Sequence, residues 1–373
     1  MKNFYKILIV GLVLVQGCAK TPVSFKDSSI GKLDNWSEQN FELAYSSFVE
    51  NCNTIRHKKG TYLHNNKVFG SLNDWKDICR EIKSISHNDF KSFIEKHFNL
   101  LEVLSQKPSL FTGYYTPTLK GSLVKTSQFS VPLYEKPNDI YTADLGQFYP
   151  ELKGKKIIAR VDEKKNLIKP YYTRQEIDAL YAKLKPFIWL ESPIDQFFLH
   201  IQGSGYVELP NKQVVHVAYA GSNGHDYKAI GRTLIENGWM KKEDVTMQSI
   251  SAWLKDNPKK QQEVFNTNPR YIFFRKGLGK TTGSLGVPLK EEQSIAVDPH
   301  YIPLGIPGFV DTKLTYNNRP FKRMIYTQDT GAAIKGGVRG DIFFGKGEKA
   351  ELLSGAQNAS GSLYVFVPKS IYE

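Results

Sequence analysis

The stretch Ile325–Gly347, IYTQDTGAAIKGGVRGDIFFGKG, sets the tightest limits on what this chain can fold into. An apolar run ends in Asp329-Thr330-Gly331, and a second carboxylate, Asp341, stands directly before Ile342-Phe343-Phe344. Runs of this kind, separated by Gly331, Gly336, Gly337 and Gly340, read as short strands joined by tight turns. A strand that ends in Asp-Thr-Gly puts a carboxylate at the mouth of a sheet. The glycines would let a ligand approach the backbone closely. The segment is poorly built for a core and well built for a site.

Short strand-like runs recur along the chain: Phe111–Pro117, Phe129–Tyr134, Lys156–Val161, Val214–Ala220, Tyr271–Phe274, Ser294–Val297, Gly308–Val310, Arg323–Tyr326 and Ser362–Val367. At this density they predict a barrel or a sandwich. Three amphipathic helices precede them. The first places Phe41, Tyr45, Phe48, Cys52 and Ile55 on one face, the second Leu72, Trp75, Ile78, Cys79 and Ile82, and the third Phe90, Phe93, Ile94 and Phe98. Further helices are predicted over Thr173–Leu184, Tyr227–Asn237 and Met247–Lys255. A chain of 373 residues with 40% hydrophobic content can bury a large core, and two domains are expected. The fold class is mainly β with flanking helices, α+β.

The N-terminus speaks to compartment. Lys2 and Lys6 precede the apolar run Ile7–Val15, which is too short to span a bilayer and is signal-peptide-like. Val15-Gln16-Gly17-Cys18 resembles a bacterial lipobox, which implies cleavage after residue 17 and lipidation of Cys18; the alternative is an ordinary signal peptide with an incidental cysteine. Ala19, where an inner-membrane retention signal would have Asp, points to the outer membrane, facing the periplasm. Residues 18–33 read as a polar tether. Cys52 and Cys79 then either pair as a structural disulfide or remain two buried thiols. The net charge of +13 favours polyanions, but the lysines are dispersed and no nucleic-acid-binding motif is present. The charge fits anionic lipid or the carboxylates of a cell-wall polymer instead.

Three aspartates, Asp298, Asp329 and Asp341, end or follow short strands. The histidines are too scattered for a metal site. No nucleophile elbow, P-loop or dinucleotide fingerprint is present, and no cofactor is expected. Carboxylate acid/base chemistry remains, the chemistry that cleaves glycosidic bonds. The apolar Ile342-Phe343-Phe344 would raise the pKa of Asp341 and suit it to act as general acid. Phe197–Gly205 (FFLHIQGSG) alternates like a strand and places His200, Gln202 and Ser204 on one polar face, a candidate cleft wall. Tyr114 and Tyr115 would point to opposite faces, one to the core and one to the groove. Twenty tyrosines and 22 phenylalanines supply both core and flat sugar platforms.

At these residues the sequence resembles the membrane-bound lytic murein transglycosylase A family. The matching stretches are FTGYYTP (111–117), FFLHIQGSG (197–205), AGSNGHDYKAIGR (220–232), NPRYIFFR (268–275), GSLGVPL (283–289), SIAVDPHYIPLG (294–305), DTGAAIKG (329–336) and RGDIFFGKG (339–347). Ala332 departs from the family's usual Gly. The resemblance implies a double-psi β-barrel, built from residues 34–117 and 266–373, with a second β-barrel domain inserted over 118–265 and a groove between the two. It implies non-hydrolytic cleavage of the β-1,4 bond between N-acetylmuramic acid and N-acetylglucosamine in peptidoglycan, leaving 1,6-anhydromuramoyl ends. Asp341 matches the catalytic acid/base and Asp329 its helper. Asp298 is placed beside the substrate, with shaping its own turn before Pro299 as the alternative. The expected partners are glycan strands and, through acylated Cys18, membrane lipid; other cell-wall enzymes stand as candidates. A hydrolase on the same substrate and a non-catalytic wall-binding lipoprotein are the competing readings.

Overall fold

The computed structural model describes residues 23–180 and 184–371. The lipidation expected at Cys18 lies outside them. Among the described residues no helix is long and apolar enough to cross a membrane.

The architecture is α+β, built on two main sheets. The larger is a nine-stranded mixed sheet that takes strands from both ends of the chain: Val23–Ser28, Phe98–Ser105, Leu110–Thr116 and then Ser294–Val297, Pro307–Lys313, Pro320–Asp329, Arg339–Lys346, Asn358–Ala359 and Ser362–Pro368. The smaller has six strands and belongs to the intervening chain: Thr118–Ser122, Val131–Tyr134, Pro186–Leu190, Gly205–Glu208, Val214–Ser222 and Ile272–Lys276. A separate three-stranded sheet, Tyr141–Asp144, Lys156–Asp162 and Leu167–Pro170, lies within that intervening region. Strand pairing leaves the large sheet open, whereas a parallel bridge between Glu135 and Phe274 brings the two edge strands of the six-stranded sheet together.

Two boundaries differ from expectation. Residues 18–33 were expected to form a tether, yet Val23–Ser28 pairs antiparallel with Phe98–Ser105 at the edge of the large sheet, and Leu33 is buried. Phe25 supplies the apolar reason, packing edge-on against buried Phe69. At the far end of the insertion, Ile272–Lys276 still pairs with Val214–Ser222. The chain therefore returns to the large sheet after Lys276, not at 266. Its departure is abrupt: Leu110–Thr116 lies in one sheet and Thr118–Ser122 in the other, with Pro117 between them.

The three N-terminal helices form for local reasons. Asn40 caps Phe41–Ile55 by accepting from Leu43 N. Ser71 and Asp74 form a reciprocal capping box on Leu72–Glu81. Both helices bury their apolar stripe with Phe90–His97 against the large sheet, where Phe48 sits among Phe90, Phe93, Phe98 and Tyr326. Phe98, expected on the third helix, is the first residue of the strand that follows it.

Cys52 and Cys79 join the first two helices in a disulfide with Cα atoms 5.2 Å apart, closing a loop of 27 residues. Both are fully buried. A cross-link over such a loop restricts the unfolded chain and contributes about 3 kcal/mol. A Cys52→Ala/Cys79→Ala variant is expected to lose about that much in denaturant unfolding. Midpoints equal to those of the oxidised parent would mean that the bond adds nothing.

Candidate active site

Tertiary pairing around strand Arg339–Lys346 builds the site. This strand pairs parallel with Leu110–Thr116, which sets Asp341 beside Thr112, and antiparallel with Ser294–Val297, which sets Asp341 beside Ala296. Gly340 is required by packing: a Cβ there would lie 2.5 Å from Ile295 and 3.0 Å from Phe111. Its missing side chain makes room for the core behind Asp341 rather than for a ligand in front of it.

Thr112 Oγ1 donates to Asp341 Oδ1 at 2.6 Å, and Arg339 Nη2 donates to Thr112 Oγ1 at 2.9 Å. A guanidinium can only donate, so Thr112 must accept from it and turn its own hydrogen toward Asp341. Asp341 Oδ2 takes no hydrogen bond from any described residue. Burial pushes the Asp341 carboxyl up; the Thr112 hydrogen bond and the Arg339 charge pull it down, and the neighbouring negative Asp329 adds to the rise. The net direction is upward, which favours a protonated acid.

Asp329 is held quite differently. Its Oδ1 accepts from Ser284 N at 2.9 Å, Ser284 Oγ at 2.8 Å and Thr330 N at 2.8 Å, and its Oδ2 accepts from Tyr114 Oη at 3.0 Å. Burial again pushes the carboxyl up, against those donors. Four donors stabilise a carboxylate where Asp341 has one, so Asp329 is the better placed of the two to remain ionised. Ser284 can reach it because Gly283 lies tight against the main chain of Gln328, where a Cβ would sit 2.3 Å from the carbonyl oxygen.

Both carboxylates line a cleft of about 510 Å³, walled on the other side by the six-stranded sheet and its helices. Tyr114, Tyr115, His200, Gln202 and Ser204 line it too. Asp298 does not. It is buried, accepts from Gly336 N at 2.9 Å and from His300 N at 3.2 Å, and fastens the loop that leads to Asp341. The expectation of a substrate contact at Asp298 is corrected to a loop anchor.

The strand expected over 197–205 is a helix, Pro193–Gln202. Its start signals lie just upstream: Ser192 caps it through Asp195 N, and Pro193 occupies its first turn. Ile194, Phe197 and His200 then fall on one buried face at helical spacing. Gly203, at φ 79°, ends the helix in the left-handed conformation. His200, Gln202 and Ser204 therefore reach the cleft from a helix end and the loop beyond, not from a strand face. His200 is buried against Tyr271, and its Nδ1 accepts from Arg174 Nη2 at 3.1 Å. Burial and that guanidinium hold the imidazole well below its ordinary pKa, so it is neutral, with its proton on Nε2. Gln202 Oε1 accepts from Tyr115 N at 3.1 Å, tying the helix to the strand beside Asp341. Tyr115 itself is buried, its hydroxyl pushed up by burial and by nearby Glu351.

Thr112, Arg339 and Ser284 were not singled out from sequence, although all three stand inside the motif stretches. Arg339 had a signal, a cation two residues before the acid on one strand face. Thr112 and Ser284 had none, because their roles depend on pairing across more than 40 residues. Ala332 is exposed at the cleft rim. Among the described residues no cluster of His, Cys, Asp and Glu is arranged to hold a metal ion.

Residues 110–275 match the MltA specific insert domain and residues 293–367 the 3D domain, the two segments that meet at the cleft. The membrane-bound lytic murein transglycosylase A homolog of Buchnera aphidicola is 29% identical over 312 residues, 82% of this chain and 77% of the relative. The crystal structure of MltA from Neisseria gonorrhoeae in its monoclinic form is 31% identical with a TM-score of 0.76, covering 93% of each chain. The membrane-bound lytic murein transglycosylase from Agrobacterium tumefaciens is 25% identical with a TM-score of 0.82, covering 93% of this chain and 98% of that one. Domain order, sequence and fold thus agree: the chain belongs to the membrane-bound lytic murein transglycosylase A family.

Proposed function

We propose that Asp341 is the single acid/base of this peptidoglycan lytic transglycosylase, a lyase that cuts the β-1,4 bond between N-acetylmuramic acid and N-acetylglucosamine. The observation that carries this reading is the asymmetry of the two half-buried carboxyls: Asp341 has one hydroxyl donor, and Asp329 is held by four. Protonated Asp341 donates to the glycosidic oxygen as the C1–O bond breaks and positive charge develops at C1. The resulting carboxylate then takes the proton from the C6 hydroxyl, whose oxygen bonds to C1 and closes the 1,6-anhydro ring. No water is consumed. Asp329, kept ionised, stabilises the positive charge at C1 or orients Asp341, and Tyr114 fixes its position. His200, Gln202 and Ser204 offer polar contacts to the sugars. Tyr115 lines the cleft beside them, and Asp298 supports the site from behind.

Membrane attachment accords with the family's name. Acylation at Cys18 and residence on the outer membrane, facing the periplasm, are part of the same proposal and rest on the N-terminal sequence. The tests are chemical. Digestion of purified sacculi is expected to release muropeptides with anhydro ends, read by mass spectrometry; reducing ends would indicate a hydrolase, and no release would indicate a binding protein. Asp341→Asn should lower the rate by about 10²–10⁴-fold or more while keeping fold and wall binding. An active Asp341→Asn enzyme would sink the assignment.

The pH dependence has a definite sign. Activity needs Asp341 protonated at the start, so the rate falls as pH rises through its raised pKa, above the ordinary carboxylate value of about 4. Arg339 opposes that rise, so Arg339→Gln should move the basic limb of the rate profile to higher pH. A limb that stays in place would show that the guanidinium does not act on this acid.

A further inference from the structure

We infer that the wall of the cleft facing the carboxylates is a subsite for the free carboxylates of the peptides attached to the glycan; this rests on the function proposed above. The cleft is electrically two-sided. Asp329 and Asp341 stand on the wall formed by the large sheet, while Arg270 and Arg275 line the wall formed by the six-stranded sheet. Strand pairing aims Arg275 into the cleft: it sits opposite Ala218 on the neighbouring strand, and Ala218 lines the same cavity. Arg270 stands just before that strand and is half-buried.

Both guanidiniums have donors to spare. Arg270 Nη1 donates to His225 O at 2.9 Å and Arg275 Nη1 to Lys276 O at 3.5 Å, both neutral main-chain carbonyls. Neither forms an ion pair with a carboxylate among the described residues. Burial pulls the Arg270 pKa down, and Tyr219 and Asp226 oppose that only through space. The field of Arg275 is felt at His216, which also lines the cleft and is held neutral in part by that charge.

Two unpaired guanidiniums in a cleft call for an anionic ligand, because a planar donor fork matches a carboxylate. The glycan backbone cannot supply one. Its sugars are neutral, and the lactyl carboxyl of muramic acid is consumed in the amide bond to the peptide. The remaining carboxylates are those of the peptide itself. A stem of three extended residues reaches about 10 Å from the sugar, so its carboxylates lie well away from the bond that is cut. The two arginines would thus act in selecting peptide-bearing strands, with no part in the proton transfers.

The test compares soluble peptide-bearing glycan strands with the same strands whose carboxyls have been amidated by carbodiimide coupling to a neutral amine. Release of anhydro products is measured for each. The parent enzyme is expected to show kcat/KM roughly tenfold higher on the carboxylate form, the size of one charge-assisted contact. Arg275→Gln should bring that ratio close to one, and Arg275→Glu should invert it. Arg275 is exposed, so these variants test the idea even where Arg270→Gln, which also loses its bond to His225, fails to fold. A parent enzyme indifferent to amidation, or a ratio that survives both Arg275 variants, overturns the proposal. A parent enzyme that cleaves neither form overturns the transglycosylase reading itself, a separate result.

Discussion

The parallel pairing of Leu110–Thr116 with Arg339–Lys346 is the contact on which the rest depends. It places Thr112 beside Asp341 and so delivers the one hydroxyl that touches the acid. It carries Tyr114 to Asp329. It also fixes where the inserted domain begins, since that chain leaves immediately after Thr116. Parallel strands need a long connection between them, and here the connection includes the opposite wall of the cleft. One backbone pairing thus joins the proposed acid to the wall that faces it across the cleft.

The electrostatics follow from the same geometry. Two carboxylates held close in a shared cleft cannot both ionise freely. The structure separates them by unequal hydrogen bonding: main-chain and side-chain donors gather on Asp329, and Asp341 is left with one hydroxyl that is itself polarised by Arg339. Burial raises both carboxyls, and the unequal donor counts favour the ionised form more at Asp329 than at Asp341.

Much of this was legible in the sequence, for physical reasons. The apolar stripes of the N-terminal helices specify their faces directly, and Cys52 and Cys79 fell on those faces. The aspartates at strand ends marked the site because Asp beside glycine is costly in a core. Legibility failed where local signals compete. FFLHIQGSG alternates like a strand, but Ser192 and Pro193 upstream commit it to a helix, and the start signal outweighs the alternation. The strand at Val23–Ser28 was missed because its polar outward residues hide two apolar contacts, those of Val23 and Phe25 with the core. Ser284 and Thr112 were silent because nothing local distinguishes a hydroxyl that will meet a carboxylate across 45 or 229 residues of chain. Asp298 carried the same signature as the other two aspartates, and only the burial of its side chain reveals an anchor.

The disulfide, the helices and the first strands of the large sheet are all complete before residue 117, yet the acid they support lies beyond residue 340. The final strand, Ser362–Pro368, pairs with both Phe98–Ser105 and Pro307–Lys313 and binds the early and late parts together. A chain that has not yet reached its last strands therefore lacks both Asp341 beside Thr112 and the strand that secures the sheet. The two halves of the cleft's carboxylate wall come from opposite ends of the polypeptide, so that wall exists only once the final segment has paired.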